Sequence, residues 1–205
     1  MDTMPHHEEI SAMSKTWLVT GSSSGIGRAL VEQLLQRGER VAATLRKIEA
    51  LSDLKARYGE QLWLAALDVN DPVAIREVMQ QAFSKLGRID VVVSNAGYAL
   101  FGAAEEVSDE QIGQQLQTNL IGSMQVIRAC LPYLREQGGG RILQLSSEGG
   151  QLAYPTSVFI TRANGPLKAL WNPWLKRLRR SVSNSLWWSR ARHAPTSARC
   201  WSARQ

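Results

Sequence analysis

Thr16-Trp17-Leu18-Val19-Thr20-Gly21-Ser22-Ser23-Ser24-Gly25-Ile26-Gly27 is an apolar run of five residues leading into a segment with three glycines in seven positions. Aromatic and β-branched residues bounded by glycine and serine predict a short strand ending in a tight turn. Ile26, Leu30 and Leu34 then recur at helical spacing up to Gly38, so a helix follows the turn directly. Glycine has no Cβ, which lets the backbone turn sharply and approach a ligand closely. A helix that opens at such a turn offers free N–H groups and the positive end of its dipole to an anion. Three glycines alone make only a turn. The strand before them and the helix after them are what suit the junction to a pyrophosphate.

The same alternation continues along the chain. Val41–Leu45 reads as a second strand followed by a charged helix to about Tyr58, and Leu62–Leu67 as a third strand. Asp71-Pro72 opens a helix with a capping carboxylate and a proline in the first turn. Its apolar stripe is Val78, Met79, Ala82, Phe83 and Leu86, ending before Gly87. Ile89–Val93 is a near-continuous apolar run, the pattern of a strand covered on both faces. A helix-rich stretch runs from Ser108 to about Glu136, and Arg141–Leu145 is a fifth strand after Gly138-Gly139-Gly140. Strands alternating with helices predict an α/β fold with a doubly wound parallel sheet.

Composition divides the 205 residues unevenly. Residues 1–159 carry 14 basic and 18 acidic side chains, a net of −4, whereas residues 160–205 carry 10 basic and none acidic. Five of the seven tryptophans (Trp171, Trp174, Trp187, Trp188, Trp201) also fall in that last stretch. Two cysteines, Cys130 and Cys200, make no disulfide framework, Cys130 being expected in helix core. No apolar run is long enough to span a bilayer, and the start lacks the apolar core of a signal peptide. These features predict a cytoplasmic protein with no membrane partner. His6, His7 and His193 are scattered, which argues against a metal site.

Four motifs stand in order: Thr20-Gly-x-x-x-Gly-Ile-Gly27, Leu67-Asp68-Val69, Ser94-Asn95-Ala96-Gly97 and Leu145-Ser146-Ser147, with Thr118-Asn119-Leu120 between the last two. At these spacings, residues 13–159 resemble the classical short-chain dehydrogenases/reductases. The resemblance implies a Rossmann-type sheet, here truncated after the fifth strand. It also implies a nicotinamide dinucleotide, a small carbonyl or alcohol substrate, and homo-oligomeric intact relatives. Gly21, Ser23, Gly25, Ile26 and Gly27 would then line the pyrophosphate. Asp68 would meet the adenine edge with Val69 beside it, and Asn95, Ala96 and Gly97 would pack on the adenosine ribose. The domain reading is a lead-in at 1–14, a dinucleotide-binding domain at 15–159 and a basic tail at 160–205.

Cofactor choice is expected at the end of the second strand, where an acid would favour the unphosphorylated ribose. The strand instead runs Thr44-Leu45-Arg46-Lys47. A guanidinium at Arg46 suits a 2′-phosphate through forked hydrogen bonds, so NADP(H) is expected over NAD(H).

The proton-transfer group is missing. The resemblance implies a tyrosine with a lysine four residues on, a serine that orients the substrate oxygen, and an asparagine supporting a water relay. Ser147 and Asn119 match the last two. The tyrosine position holds Ile160 and the lysine position Asn164, neither of which exchanges a proton near neutral pH. Tyr154 comes six residues too early. Read one nucleotide early, the Phe159/Ile160 junction permits a tyrosine codon and Ala163/Asn164 a lysine codon, while Trp171/Asn172 must give glutamate and Trp187/Trp188 valine. Residues 160–205 are therefore expected to be a frameshifted tail that is not natively folded. The fifth strand would then be a sheet edge, and the chain poorly stable and inactive. Two alternatives remain: a dinucleotide binder without turnover, or a nucleic-acid- or membrane-binding protein acting through Trp171, Trp174, Lys176, Arg177, Arg179 and Arg180. Tyr98, Leu100 and Phe101 are candidates for an apolar substrate pocket.

Overall fold

A computed structural model of the chain describes residues 14–100, 102–103, 105–146 and 187–190. The strands are β1 (Thr16–Thr20), β2 (Arg40–Leu45), β3 (Leu62–Ala66), β4 (Val91–Ser94), β5 (Arg141–Ser146) and β6 (Trp187–Arg190). They form one parallel sheet in the order β3-β2-β1-β4-β5-β6. The helices are α1 (Gly25–Gln36), α2 (Ser52–Tyr58), α3 (Pro72–Leu86), α4 (Asp109–Leu116) and α5 (Ser123–Glu136).

Strand alternation feeds two cores. Leu18, Ala42 and Val92 face one side of the sheet, where Met79, Phe83 and Leu134 of α3 and α5 cover them. Val19, Val41 and Val93 face the other, against Leu34 and Leu35 of α1. A strand covered on both faces has no polar side to show, which explains the three consecutive valines, Val91 to Val93, in β4.

The expected elements are present, with informative shifts at their ends. The cap at α3 is as read: Asp71 Oδ1 accepts from Val73 N at 2.8 Å and Ala74 N at 3.0 Å. β4 starts two residues later than expected. The Ile89 backbone is engaged instead by the Gln137 side chain, which accepts from Ile89 N at 3.2 Å and donates to Ile89 O at 2.8 Å. Asp90 then brackets β1, its N–H donating to Thr16 O at 2.9 Å and its carboxylate accepting from Thr16 N at 3.0 Å. The charged helix after β2 is split into a 3-10 turn, Ile48–Leu51, and α2. In α1, Val31, Leu34 and Leu35 are buried, but Ile26 is 48% exposed. It lies in the first turn, beyond the sheet's carboxyl edge, and faces a cleft instead of the core.

β5 is not an edge. β6 pairs with it in parallel, Leu143 opposite Trp187 through Ser146 opposite Arg190. A sheet edge is a row of unmet N–H and C=O groups that templates any β-prone segment, and the Trp187-Trp188 pair supplies one. This strand lies inside the stretch 160–205 read as out of frame; the rest of that stretch, with Ile160 and Asn164, is outside the described residues, as are Ser147, Tyr154 and residues 1–13 of the lead-in.

Candidate dinucleotide site

The sheet changes direction of travel between β1 and β4, and connections on the two sides leave a crevice at the carboxyl ends there. The glycine turn forms one wall. Gly21 has φ +68°, and a Cβ on it would lie 2.6 Å from Ala96 Cα. Gly27 is helical, but a Cβ there would run into the Gly21 carbonyl and Asn95 Nδ2. Both positions exclude any larger residue.

Three polar side chains fix this turn from beneath. Ser22 Oγ donates to Val19 O at 2.9 Å. Thr20 Oγ1 accepts from Asn95 N at 3.0 Å and Ala96 N at 3.1 Å, joining β1 to the loop after β4. Asn95 Nδ2 donates to Thr20 O at 2.9 Å and Gly21 O at 3.0 Å. Ser24, at the start of α1, makes no side-chain cap, so the first N–H groups of that helix are left for another acceptor.

The crevice encloses about 630 Å³. Every residue expected from sequence to bind a cofactor lines it: Gly21, Ser23, Gly25, Ile26, Gly27, Arg46, Asp68, Val69, Asn95, Ala96 and Gly97. Arg46 and Asp68 are the charged side chains of that lining. A nearby cation, Arg28, is already engaged by Glu32 at 2.8 Å, Asp53 at 2.5 Å and Ala50 O at 2.6 Å.

Asn119 sits in a π-helical turn, Gln117–Gly122, that joins α4 to α5. Its Oδ1 accepts from Tyr98 N at 3.1 Å and its Nδ2 donates to Tyr98 O at 2.7 Å. Gly97 permits this clamp, since a Cβ on it would lie 3.1 Å from Asn119 Oδ1. Tyr98 lines the crevice and Asn119 holds the loop behind it. Asn70, Gln114 and Thr118 also line it and were not expected. Among the described residues, no cluster of His, Cys, Asp and Glu is arranged for a metal, and no helix is long and apolar enough to cross a membrane. Cys130 is fully buried in α5, and burial pushes its thiol up to about 12.

The family model described as short chain dehydrogenase matches residues 15–159. The chain belongs to that family. Oxidoreductase BOA17 of Botryotinia fuckeliana is 42% identical over 144 residues, 70% of this chain and 53% of that protein. The NADP-dependent 3-hydroxy acid dehydrogenase YdfG of Escherichia coli K12 is 36% identical over 138 residues, covering 67% of this chain and 56% of that protein. A short-chain dehydrogenase structure from Streptomyces avermitilis superposes with a TM-score of 0.78 at 35% identity, over 82% of this chain and 62% of that one. This short-chain dehydrogenase chain therefore spans about half the length of the curated relatives it matches.

Proposed function

We propose that the crevice binds NADP(H), and that the chain derives from a carbonyl reductase or alcohol dehydrogenase. The observation that carries this reading is the convergence of four separated sequence motifs on one crevice at the sheet's switch point. The residues fit the group: at Gly21 and Gly27 a Cβ would fill the space against Ala96 and Asn95, so backbone alone faces the ligand. The open N–H groups at the start of α1 take the pyrophosphate. Asp68 accepts from the adenine amino group, and Arg46 takes the 2′-phosphate. β2 runs out into Arg46-Lys47, with no acid at that strand end to favour an unphosphorylated ribose. The relative YdfG is named as NADP-dependent, which agrees with this choice.

When bound, a nicotinamide supplies a hydride to, or takes one from, a carbon bearing oxygen. The protein's own part is to position that carbon and handle a proton at the oxygen. Ser147 would orient the oxygen by hydrogen bonding, and Asn119 would hold the loop at Tyr98 that closes the site. With isoleucine at 160 and asparagine at 164, the chain has no side chain at those positions to carry the proton. The chain therefore binds the cofactor and turns over poorly or not at all. Titrating NADPH by its fluorescence, separately from ketone reduction, tests both halves. Saturable binding with background turnover is expected; rates typical of intact relatives would refute the second half, and absence of binding the first.

A further inference from the structure

The π-helical turn serves two loops with neighbouring side chains. Asn119 clamps the loop after β4, as described above. Thr118, next to it, reaches the loop after β3: its Oγ1 donates to Asn70 Oδ1 at 3.1 Å. These residues are 48 apart in sequence, both are half-buried, and both line the crevice.

Asn70 is in turn joined to Asp68, whose Oδ1 accepts from Asn70 N at 2.9 Å. This local bond orients the Asp68 carboxylate relative to its own turn. It does nothing to fix the turn relative to the rest of the crevice. Val69, buried in the core, holds the turn from below, and two contacts with the π-helical turn hold it from the crevice side. One is the Thr118–Asn70 bond. The other is the close approach of Gly122, where a Cβ would lie 2.8 Å from Val69 O. Asp68 itself is exposed, so packing does not hold it.

We propose that Thr118 is a positioning residue for the adenosine half of the dinucleotide, acting through Asn70 to set the Asp68-Val69-Asn70 turn. The proposal rests on the reading that the crevice takes NADP(H). It assigns to one π-helical turn the alignment of both loops: Asn119 the loop after β4, Thr118 the loop after β3.

The test uses the full chain and two fragments of the cofactor, adenosine 2′,5′-bisphosphate and nicotinamide mononucleotide, each titrated calorimetrically. Thr118→Val keeps the shape and removes the donor. It is expected to weaken adenosine 2′,5′-bisphosphate about three- to tenfold, the worth of one neutral hydrogen bond, and to leave the mononucleotide unchanged. Thr118→Ser, which restores the hydroxyl, is expected to restore affinity. Asn70→Ala reads the same contact from the other loop, and the double variant should be no weaker than either single one. Affinity for the bisphosphate unchanged in both single variants, or equal losses for both fragments, would overturn the proposal. So would a fall in melting temperature alone. If the unaltered chain binds no bisphosphate, the reading of the crevice itself fails and the proposal falls with it.

Discussion

Asn95→Asp replaces a donor by an acceptor and leaves the side chain's shape alone. In the structure the Asn95 amide donates to two carbonyls, Thr20 O at 2.9 Å and Gly21 O at 3.0 Å. Losing two neutral hydrogen bonds costs about 2 kcal/mol. Setting a carboxylate oxygen against the same two carbonyls adds about 1–2 kcal/mol, since an acceptor facing acceptors in a half-buried site is both unmet and repelled. The total of about 3–4 kcal/mol is a large part of the stability of an ordinary domain. Asn95→Ala should lose only the first part, about 2 kcal/mol.

The two variants should also differ in pH dependence. A protonated carboxyl can still donate to one of the carbonyls, so folding favours the neutral form of the introduced group and raises its pKa above the unfolded value of about 3.9. Between those two pKa values the folded chain binds more protons than the unfolded one, and stability falls as pH rises. The excess cost of aspartate over alanine is therefore full above the raised pKa and vanishes below about pH 4. Urea midpoints for all three chains at pH 4.5 and 7.5 measure it, with alanine cancelling the background titration. Equal midpoints for the two variants at pH 7.5, or a gap that ignores pH, would refute the assigned role of the Asn95 amide.

Arg46→Ala should weaken NADPH about 10- to 100-fold, the loss of a charge-assisted contact, while NADH stays within about twofold, as read by fluorescence titration. Gly27→Ala pushes a methyl into the Gly21 carbonyl and Asn95. It should cost about 1–3 kcal/mol as overpacking, lowering both the thermal midpoint and the NADPH affinity. Cys130, buried with its thiol pushed up to about 12, should resist iodoacetamide at pH 8 in the native chain and react once the chain is unfolded in urea. Peptide mapping separates it from Cys200.

The sheet was legible because short apolar runs alternate with segments of helical spacing along the chain, and because Asp71-Pro72 and the glycine turn punctuate it. Ile26 shares the helical spacing of Leu30 and Leu34, and only its place in the glycine motif marked it for the crevice that it lines. Ile89 misled because the partner that displaces it from the strand is Gln137, 48 residues away. The motif residues of the crevice were legible through their resemblance to the family's ordered motifs. The side chains that hold them in place were less so: Thr118 to Asn70 and Asn119 to Tyr98 are non-local pairs on an irregular turn. A π-helical turn has no periodic signature in a sequence. β6 was not foreseen, because pairing with β5 depends on an available neighbour and leaves no mark in the segment's own composition.

The central strand has a consequence for synthesis on the ribosome. β1 pairs on one side with β2, Thr16 opposite Arg40, and on the other with β4, Trp17 opposite Val91. A nascent chain can zip β1, β2 and β3 together as soon as Ala66 has emerged. The opposite flank of β1 then waits, apolar and unpaired, while α3 is translated. The middle of the finished sheet is thus for a time its most adhesive border. Slowing elongation between codons 66 and 91 should lengthen that interval and increase the share of chains captured by chaperones or lost to aggregates.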